Sequence, residues 1–262
     1  MLRRVKDLQR YTIAARDGDI GTIDDVYFDD QSWTIRHLVV ETGTWLTGRR
    51  VLIPPRAIQG IEPMAERVIT NLTKQQVQDS PGVDTDRPVS RHYERSLYEY
   101  YGYPLYWGGP YLWGPIPYPA APPPGSYAAE GRRAEEPAGD VHLRSARDVS
   151  GHAIQATDGE LGHVEDYLID EHEWAIRYLI VDPQNWWPGH FVLISPEWIT
   201  AVHWNDSTVQ VDVDKEAVRN APAYEPDRLL NREYERRLHE HFRRPGYWER
   251  APEAWKRYPP AA

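Results

Sequence analysis

The sequence contains no cysteine, which excludes disulfides, thiolate nucleophiles and cysteine-based zinc or iron–sulfur sites together. It also lacks any run of 18 uncharged apolar residues. Charged residues stand near the N-terminus, at Arg3, Arg4 and Lys6, where a signal peptide would need an apolar stretch. We therefore expect a cytoplasmic protein whose membrane contact is at most peripheral to the inner membrane.

An excess of basic residues is missing as well. The formal net charge is −10, whereas a nucleic-acid binder needs clustered Lys and Arg to neutralise phosphates. Residues 1–80 hold about 11 basic and 11 acidic side chains, and residues 141–222 about 5 and 14. We expect no direct DNA binding. The acidic half either faces a basic partner or cations, or is an ordinary solvated surface.

The familiar catalytic motifs are absent too. The sequence has no Gly-rich phosphate loop, no nucleophile elbow and no His-Glu-x-x-His segment. We expect no enzyme activity and no cofactor.

Two sets of residues resemble metal ligands but do not have the spacing of a known site. The acidic residues near the first turns lack the ligand alternation of an EF-hand loop; they are Asp17, Asp19, Asp24, Asp25, Asp29 and Asp30. The second half is rich in histidines, which we interpret as surface residues; they are His152, His163, His172, His190, His239 and His241. We predict no metal site.

What the sequence does contain is an internal duplication. Residues 2–107, the first repeat, align without a gap on residues 143–248, the second repeat, at a constant offset of 141, and about a third of the pairs are identical. The turn 17–21 matches 158–162, and the apolar run 33–40 matches 174–181. At 262 residues, the chain is long enough for two domains, each with a core of its own.

Short strands separated by turns are predicted in each repeat. Asp17-Gly18 is a tight-turn dipeptide and closes a first hairpin. The nearly continuous apolar run 35–40 is typical of a buried strand, and Pro54-Pro55 stops the next strand because proline has no N–H to donate. A further strand pair follows over 58–61 and 68–71, and Thr73-Lys74-Gln75-Gln76 has the pattern of a capping box that opens a short helix.

These motifs resemble the PRC-barrel domain, the small β-barrel of the photosynthetic reaction-centre H subunit and of the ribosome maturation factor RimM. The resemblance is carried by the Asp-Gly-x-Ile/Leu-Gly turn, the Trp-x-Ile-Arg-x-Leu-Val/Ile-Val strand, the Val-Leu-Ile-Pro strand end and the Lys-x-x-Val-x-x-x-Pro finish. It implies a mainly β fold with two small PRC-type barrels in tandem, as in a bacterial tandem PRC-barrel protein. We expect the first barrel over 1–82, a helix over 83–102, a Pro/Gly/Tyr/Trp-rich linker over 103–140, the second barrel over 141–223, a helix over 224–244 and an aromatic, proline-rich tail over 245–262.

The helices and the aromatic segments are candidate docking elements. Tyr93 and Leu97 stand four apart on one helix face, as Tyr234 and Leu238 do in the second repeat, and suit packing on a barrel or on another molecule. A linker with large rings implies that something covers them: the barrels, a second copy or a partner. Adsorption at a membrane interface is a weaker fourth alternative, because no basic amphipathic helix accompanies the rings. The candidate partner-binding residues are Tyr106, Trp107, Tyr111, Trp113, Tyr247 and Trp248. Residues 122–124, three prolines, favour a polyproline conformation.

The function that these observations favour is a non-catalytic protein-binding or assembly module, which contacts a protein partner or a second copy of itself. Two linked barrels would give such a module bivalency. Resemblance to the reaction-centre subunit implies one alternative, a peripheral component of a photosynthetic or electron-transfer complex at the cytoplasmic membrane face. Resemblance to the ribosome factor implies another, an RNA- or ribosome-associated role. Trp33 and Trp174 are interpreted as barrel-filling residues, with ligand stacking as the alternative.

Overall fold

A computed structural model describes residues 1–83, 89–107, 109–120, 142–183, 190–226 and 230–249 of the chain. This part of the chain is mainly β, as expected, with 14 strands in one hydrogen-bonded sheet and six helices. None of its helices has the length and apolar character needed to cross a bilayer. The prolines at 122–124 and the tail from 250 onward lie outside the described residues.

The two repeats contain the same elements in the same order. The strands of the first repeat are β1 (Leu2–Arg4), β2 (Thr12–Ala15), β3 (Gly18–Asp29), β4 (Thr34–Glu41), β5 (Arg50–Ile53), β6 (Ile58–Glu62) and β7 (Arg67–Thr70). Its helices are α1 (Val5–Leu8), α2 (Lys74–Gln78) and α3 (Arg91–Tyr101). The strands of the second repeat are β8 (Leu143–Ser145), β9 (Ala153–Ala156), β10 (Gly159–Asp170), β11 (Ala175–Asp182), β12 (Val192–Ile194), β13 (Ile199–His203) and β14 (Thr208–Val211). Its helices are α4 (Ala146–Val149), α5 (Lys215–Arg219) and α6 (Arg232–His241).

Each repeat arranges six of its strands in one order. In the first repeat this order is β5-β4-β3-β2-β7-β6, and the second has β12-β11-β10-β9-β14-β13. Neighbours are antiparallel except β2 with β7 and β9 with β14, which are parallel. A single 3-10 turn, Pro55–Ala57, connects the end strands β5 and β6. Because this link is short, it brings the two ends of the sheet together, as a small barrel requires.

The local turn and cap predictions are confirmed. The β2–β3 turn lies at Asp17-Gly18, and the Asp17 carboxylate accepts a hydrogen bond from the Lys74 amide at 2.8 Å, which ties the turn to α2. Thr73 and Gln76 form both halves of the capping box. These contacts satisfy N–H groups that the first turn of a helix leaves without partners. The turn after β3 ends at Trp33, which adopts a left-handed backbone with φ of 51°.

The two repeats are joined by an exchange of their first strands. Strand β1 of the first repeat pairs with β10 of the second, and β8 of the second pairs with β3 of the first. At the centre, Ile35 donates its N–H to the Trp174 carbonyl and Ile176 to the Trp33 carbonyl, each at 2.7 Å. The exchange is reciprocal, with the same positions used on both sides, so it resembles the self-complementary interface of a two-fold dimer.

The hydrophobic core extends across the junction of the two repeats, whereas the chain length had suggested a separate core in each. One continuous cluster of buried side chains includes residues of both repeats. Phe28 of β3 lies 6.0 Å from Tyr167 of β10 between ring centroids, and it stacks on Trp33 at 5.2 Å. Trp33 and Trp174 are buried, as predicted. They fill the junction between the repeats.

Candidate functional site: the aromatic strap and the groove between the repeats

After α3, the chain returns across the first repeat in a segment that we call the strap, residues 103–120, described except at position 108. It begins at Gly102, whose positive φ of 69° ends the helix in the left-handed conformation that glycine favours. Of the candidate partner-binding residues, Tyr106, Trp113 and Tyr247 are buried, whereas Trp107, Tyr111 and Trp248 are half-buried. The chain itself therefore covers three of the six rings, and their role in binding a partner stays a prediction.

Two buried arginines hold the strap. The Arg36 guanidinium lies 3.8 Å from the Tyr106 ring centroid and 4.9 Å from that of Trp113, and it donates to the Leu112 carbonyl at 2.7 Å. Arg56 donates to the carbonyls of Trp113 and Ala120. A guanidinium suits both tasks because it is planar, stacks on rings and has several N–H donors.

The strap also contacts the second repeat. The indole N–H of Trp113, a side chain with no exposed surface, donates to the Glu173 carbonyl at 2.8 Å. Glu173 belongs to the turn between β10 and β11, and its side chain pairs with Arg177. Trp113 thus connects the strap of one repeat to a turn of the other.

A buried polar cluster lies beneath the strap, around the carboxylate of Glu94 on α3. His37 of β4 and His142, which precedes β8, approach it at 3.0 and 2.9 Å, and the Tyr106 hydroxyl donates to it at 2.8 Å. Burial alone would raise the pKa of Glu94, but the hydrogen bonds and charges of the two histidines lower it to about 2. The Arg91 guanidinium also donates to the Tyr106 hydroxyl at 2.7 Å.

The second repeat has a matching cluster with different electrostatics. Glu235 accepts hydrogen bonds from Tyr178 at 3.2 Å and Tyr247 at 3.0 Å, and Arg232 lies 3.0 Å from it. Burial raises the pKa of Glu235, and Arg232 only partly opposes this. Tyr178 stands where the first repeat has His37, so the Glu235 carboxylate has no partner able to carry positive charge at that position.

The surface interpretation of the histidines is wrong for two of them. His239 of α6 is only 2% exposed and lies 3.0 Å from the Tyr178 hydroxyl, while His152 is 8% exposed. The returning tail covers His239, and the Trp248 ring lies 5.1 Å from it between centroids. The spacing of residues along a helix cannot show that a later segment of the chain will bury one of them.

The polar groups singled out as possible metal ligands have protein partners. Asp17 binds the α2 backbone, Asp19, Asp24 and Asp30 pair with arginines, and Asp25 and Asp29 accept backbone N–H groups. Within the described ranges, no three His, Asp or Glu side chains are arranged to hold a metal ion.

A groove opens where the strap, the first repeat and the second repeat meet, and its cavity volume is about 410 Å³. Its walls include Ile58 and Ile61 of β6, Tyr118 of the strap, and His172 and Trp174 of the β10–β11 turn. Strand β6 is last in the strand order, and among the described residues it forms a ladder with β7 alone.

The groove distinguishes the two repeats. Ile58 and Ile61 are half-buried, whereas Ile199 and Val202, the matching residues of β13, are buried at 5% and 4% exposure. Tyr118, at the rim, is 43% exposed. The first repeat therefore leaves apolar side chains of its end strand partly exposed, whereas the matching side chains of the second repeat are buried.

The residues that hold the strap and the cluster were not predicted to be functional. Arg36 stands within the apolar run 35–40, and the second repeat has Arg177 at the same place. Glu94 and Glu235 are likewise identical across the repeats. The sequence did contain one signal for them: both repeats have an arginine within the apolar strand, and a buried charge needs partners.

Both repeats have six strands in one order, and a short turn joins the end strands of each. The family model of the PRC-barrel domain matches residues 2–77, and these residues form a PRC-barrel domain, as the resemblance implied. The second repeat has the same strand order, and its assignment to the family stays a prediction. A search of curated proteins finds no match to the chain.

Proposed function

We propose that this protein is a non-catalytic protein-binding or assembly module, and that its partner inserts an extended segment with apolar side chains into the groove. The observation that carries the proposal is the groove itself, in which the edge of the end strand β6 stands beside an apolar wall. Extended peptides bind such edges by adding a strand, with main-chain hydrogen bonds for affinity and side-chain pockets for specificity.

The strand exchange supports this mode of binding. Both β10 and β3 already accept a three-residue strand from the other repeat, so the sheet is suited to strand addition. The presence of a PRC-barrel domain, a module that often mediates protein interactions, points in the same direction. The ionisable groups that the duplication retains, such as Arg36 and Glu94, bind other parts of the chain, so they serve the architecture.

The test uses the full chain, tagged and purified from its own cells, with soluble and membrane fractions identified separately by mass spectrometry. Ile61→Lys places a charge on the apolar wall, and Met64→Lys is the control, because Met64 is fully exposed in the next turn. We expect one stoichiometric partner that Ile61→Lys loses and Met64→Lys keeps, with circular dichroism showing that both variants fold.

Each other outcome has a defined meaning. Retention of the partner by Ile61→Lys would show that the groove is not the docking site. Recovery of the protein alone would contradict a stable assembly role. A partner in the membrane fraction that salt releases would favour the photosynthetic or electron-transfer alternative, and co-purified small ribosomal subunits would favour the RNA-related one.

A further inference from the structure

The N-terminal arm of the first repeat, residues 2–8, contacts the second repeat at a buried carboxylate. Asp166 of β10 is 3% exposed. One of its oxygens, Oδ1, accepts hydrogen bonds from the backbone N–H of Lys6 at 3.2 Å and of Tyr167 at 2.8 Å. The Lys6 bond is a direct link between the arm and the repeat on which it docks.

The matching arm of the second repeat, residues 143–149, docks on Asp25 in the same way. Oδ1 of Asp25 accepts from the Arg147 amide at 3.3 Å and from the Val26 amide at 2.8 Å. The other oxygen, Oδ2, accepts from the Ser145 hydroxyl at 2.5 Å. Both oxygens of Asp25 are therefore hydrogen-bonded.

One difference between the arms separates the two contacts. The position that Ser145 occupies in the second arm is Arg4 in the first, and the Arg4 side chain turns to Asp7 at 2.7 Å. Oδ2 of Asp166 is then buried without a hydrogen-bond partner among the described residues. An ionised carboxylate is costly in that setting, because burial removes water and nothing replaces it at that oxygen.

The charges around Asp166 do not compensate. Arg4 and Lys6 face it from the arm and favour its ionised form, but each is engaged elsewhere, Lys6 with Glu165 and Arg4 with Asp7. On its own strand, Tyr167 contributes only its backbone N–H. Burial dominates and raises the pKa of Asp166 to about 7.

We propose that Asp166 makes docking of the N-terminal arm on the second repeat depend on a proton, so that the arm is held more tightly in acid than in base. The matching arm on Asp25 depends on pH in the same direction but less, because burial also raises the pKa of Asp25 while the Ser145 hydroxyl stabilises its ionised form. The exchange of strands is thus symmetric in geometry and asymmetric in its response to pH.

The direction follows from linkage. When the arm is released, Asp166 meets water, where an aspartate has a pKa of about 3.9. The docked state therefore binds the proton more strongly, so docking is favoured below about pH 4 and loses up to about tenfold in its equilibrium constant per unit as the pH rises towards 7. Above that range the ionised form predominates in both states and the dependence levels off.

The test is hydrogen–deuterium exchange of the full-length protein between pH 5 and 8.5, expressed as protection relative to the intrinsic rate. Amides of residues 2–8 are compared with those of 143–149 in the same molecule, which controls for global stability. We expect protection of the first arm to fall at least tenfold more than that of the second. Asp166→Asn should remove this dependence from the first arm, and Arg4→Ser, which supplies the missing hydroxyl, should reduce it to that of the second arm.

A carbon-13 titration of the Asp166 carboxyl by NMR gives a second measurement that does not depend on any variant. Parallel behaviour of the two arms in the unmodified protein, or titration of Asp166 near pH 4, would overturn the proposal. So would an unchanged pH dependence in Asp166→Asn, which would assign the effect to another group on β10 such as His163, 3.7 Å from Glu165.

Discussion

Removal of the Trp113 side chain should release the strap and weaken the contact between the repeats. Trp113 is fully buried, contacts the guanidinium groups of Arg36 and Arg56 and donates its indole N–H to the Glu173 carbonyl. Truncation of a buried tryptophan to alanine costs about 3–5 kcal/mol. Since the lost hydrogen bond and ring contacts are already part of such losses, we expect about 4 kcal/mol for Trp113→Ala, a large share of the 5–15 kcal/mol typical of a folded domain.

A second substitution separates the ring from its N–H group. Trp113→Phe keeps most of the ring contacts but leaves the Glu173 carbonyl without its donor, which should cost about 1–2 kcal/mol. Tyr118→Ala is the control, because that strap residue is 43% exposed and should lose less than about 1 kcal/mol. Urea unfolding followed by far-UV circular dichroism measures the free energies independently of tryptophan fluorescence.

The reasoning would be refuted by a loss below about 1 kcal/mol for Trp113→Ala, since a buried anchor cannot be removed so cheaply. Equal losses for the alanine and phenylalanine variants would also contradict it, because they would assign no stabilisation to the ring itself. An altered dependence of the free energy on urea would indicate a change in the surface exposed on unfolding instead.

Three further substitutions test other parts of the structure. Gly21→Ala should prevent correct folding of the β3–β4 edge, because the added carbon would collide with the Glu41 carbonyl. Gly60→Ala is the control, because the carbon added there meets nothing within 4 Å, and thermal unfolding compares the two variants. Glu94→Gln should lower stability at pH 7 by about 3 kcal/mol and flatten the acid unfolding curve. The reason is that the native pKa of about 2 lies below the unfolded value, so the stabilisation by Glu94 is lost as the pH falls from about 4.5 to 2. Arg36→Lys should cost about 1–3 kcal/mol in urea unfolding, because an ammonium cannot replace a guanidinium that stacks on two rings while it donates to a carbonyl.

The parts of the fold that sequence predicts are those that depend on neighbours in the chain. The turn at Asp17-Gly18, the capping box at Thr73 and the helix face with Leu97 each follow from a few adjacent residues. The structure bears them out because turn chemistry and helix caps are local.

The parts that sequence does not predict depend on contacts between distant residues. Strands β1 and β8 have three residues each, too few to show a periodicity, and they pair with the opposite repeat. Arg36 looks anomalous in an apolar run until the strap, about 70–80 residues later, brings the Tyr106 ring and the Leu112 carbonyl to it. No local sequence pattern carries that information. The groove could not be predicted either, because residues of both repeats and of the strap form it.

Because the first strands are exchanged, each half of the chain contains a strand that pairs with the sheet of the other half. A break in the chain between the repeats would not produce two complete modules, because the strand that covers β10 stays with the first half and the strand that covers β3 with the second. After the duplication, a substitution in either arm acts on the opposite repeat, so the two halves are constrained to change together. The difference between Arg4 in one arm and Ser145 in the other shows how such a chain can still differentiate its halves while it keeps their mutual dependence.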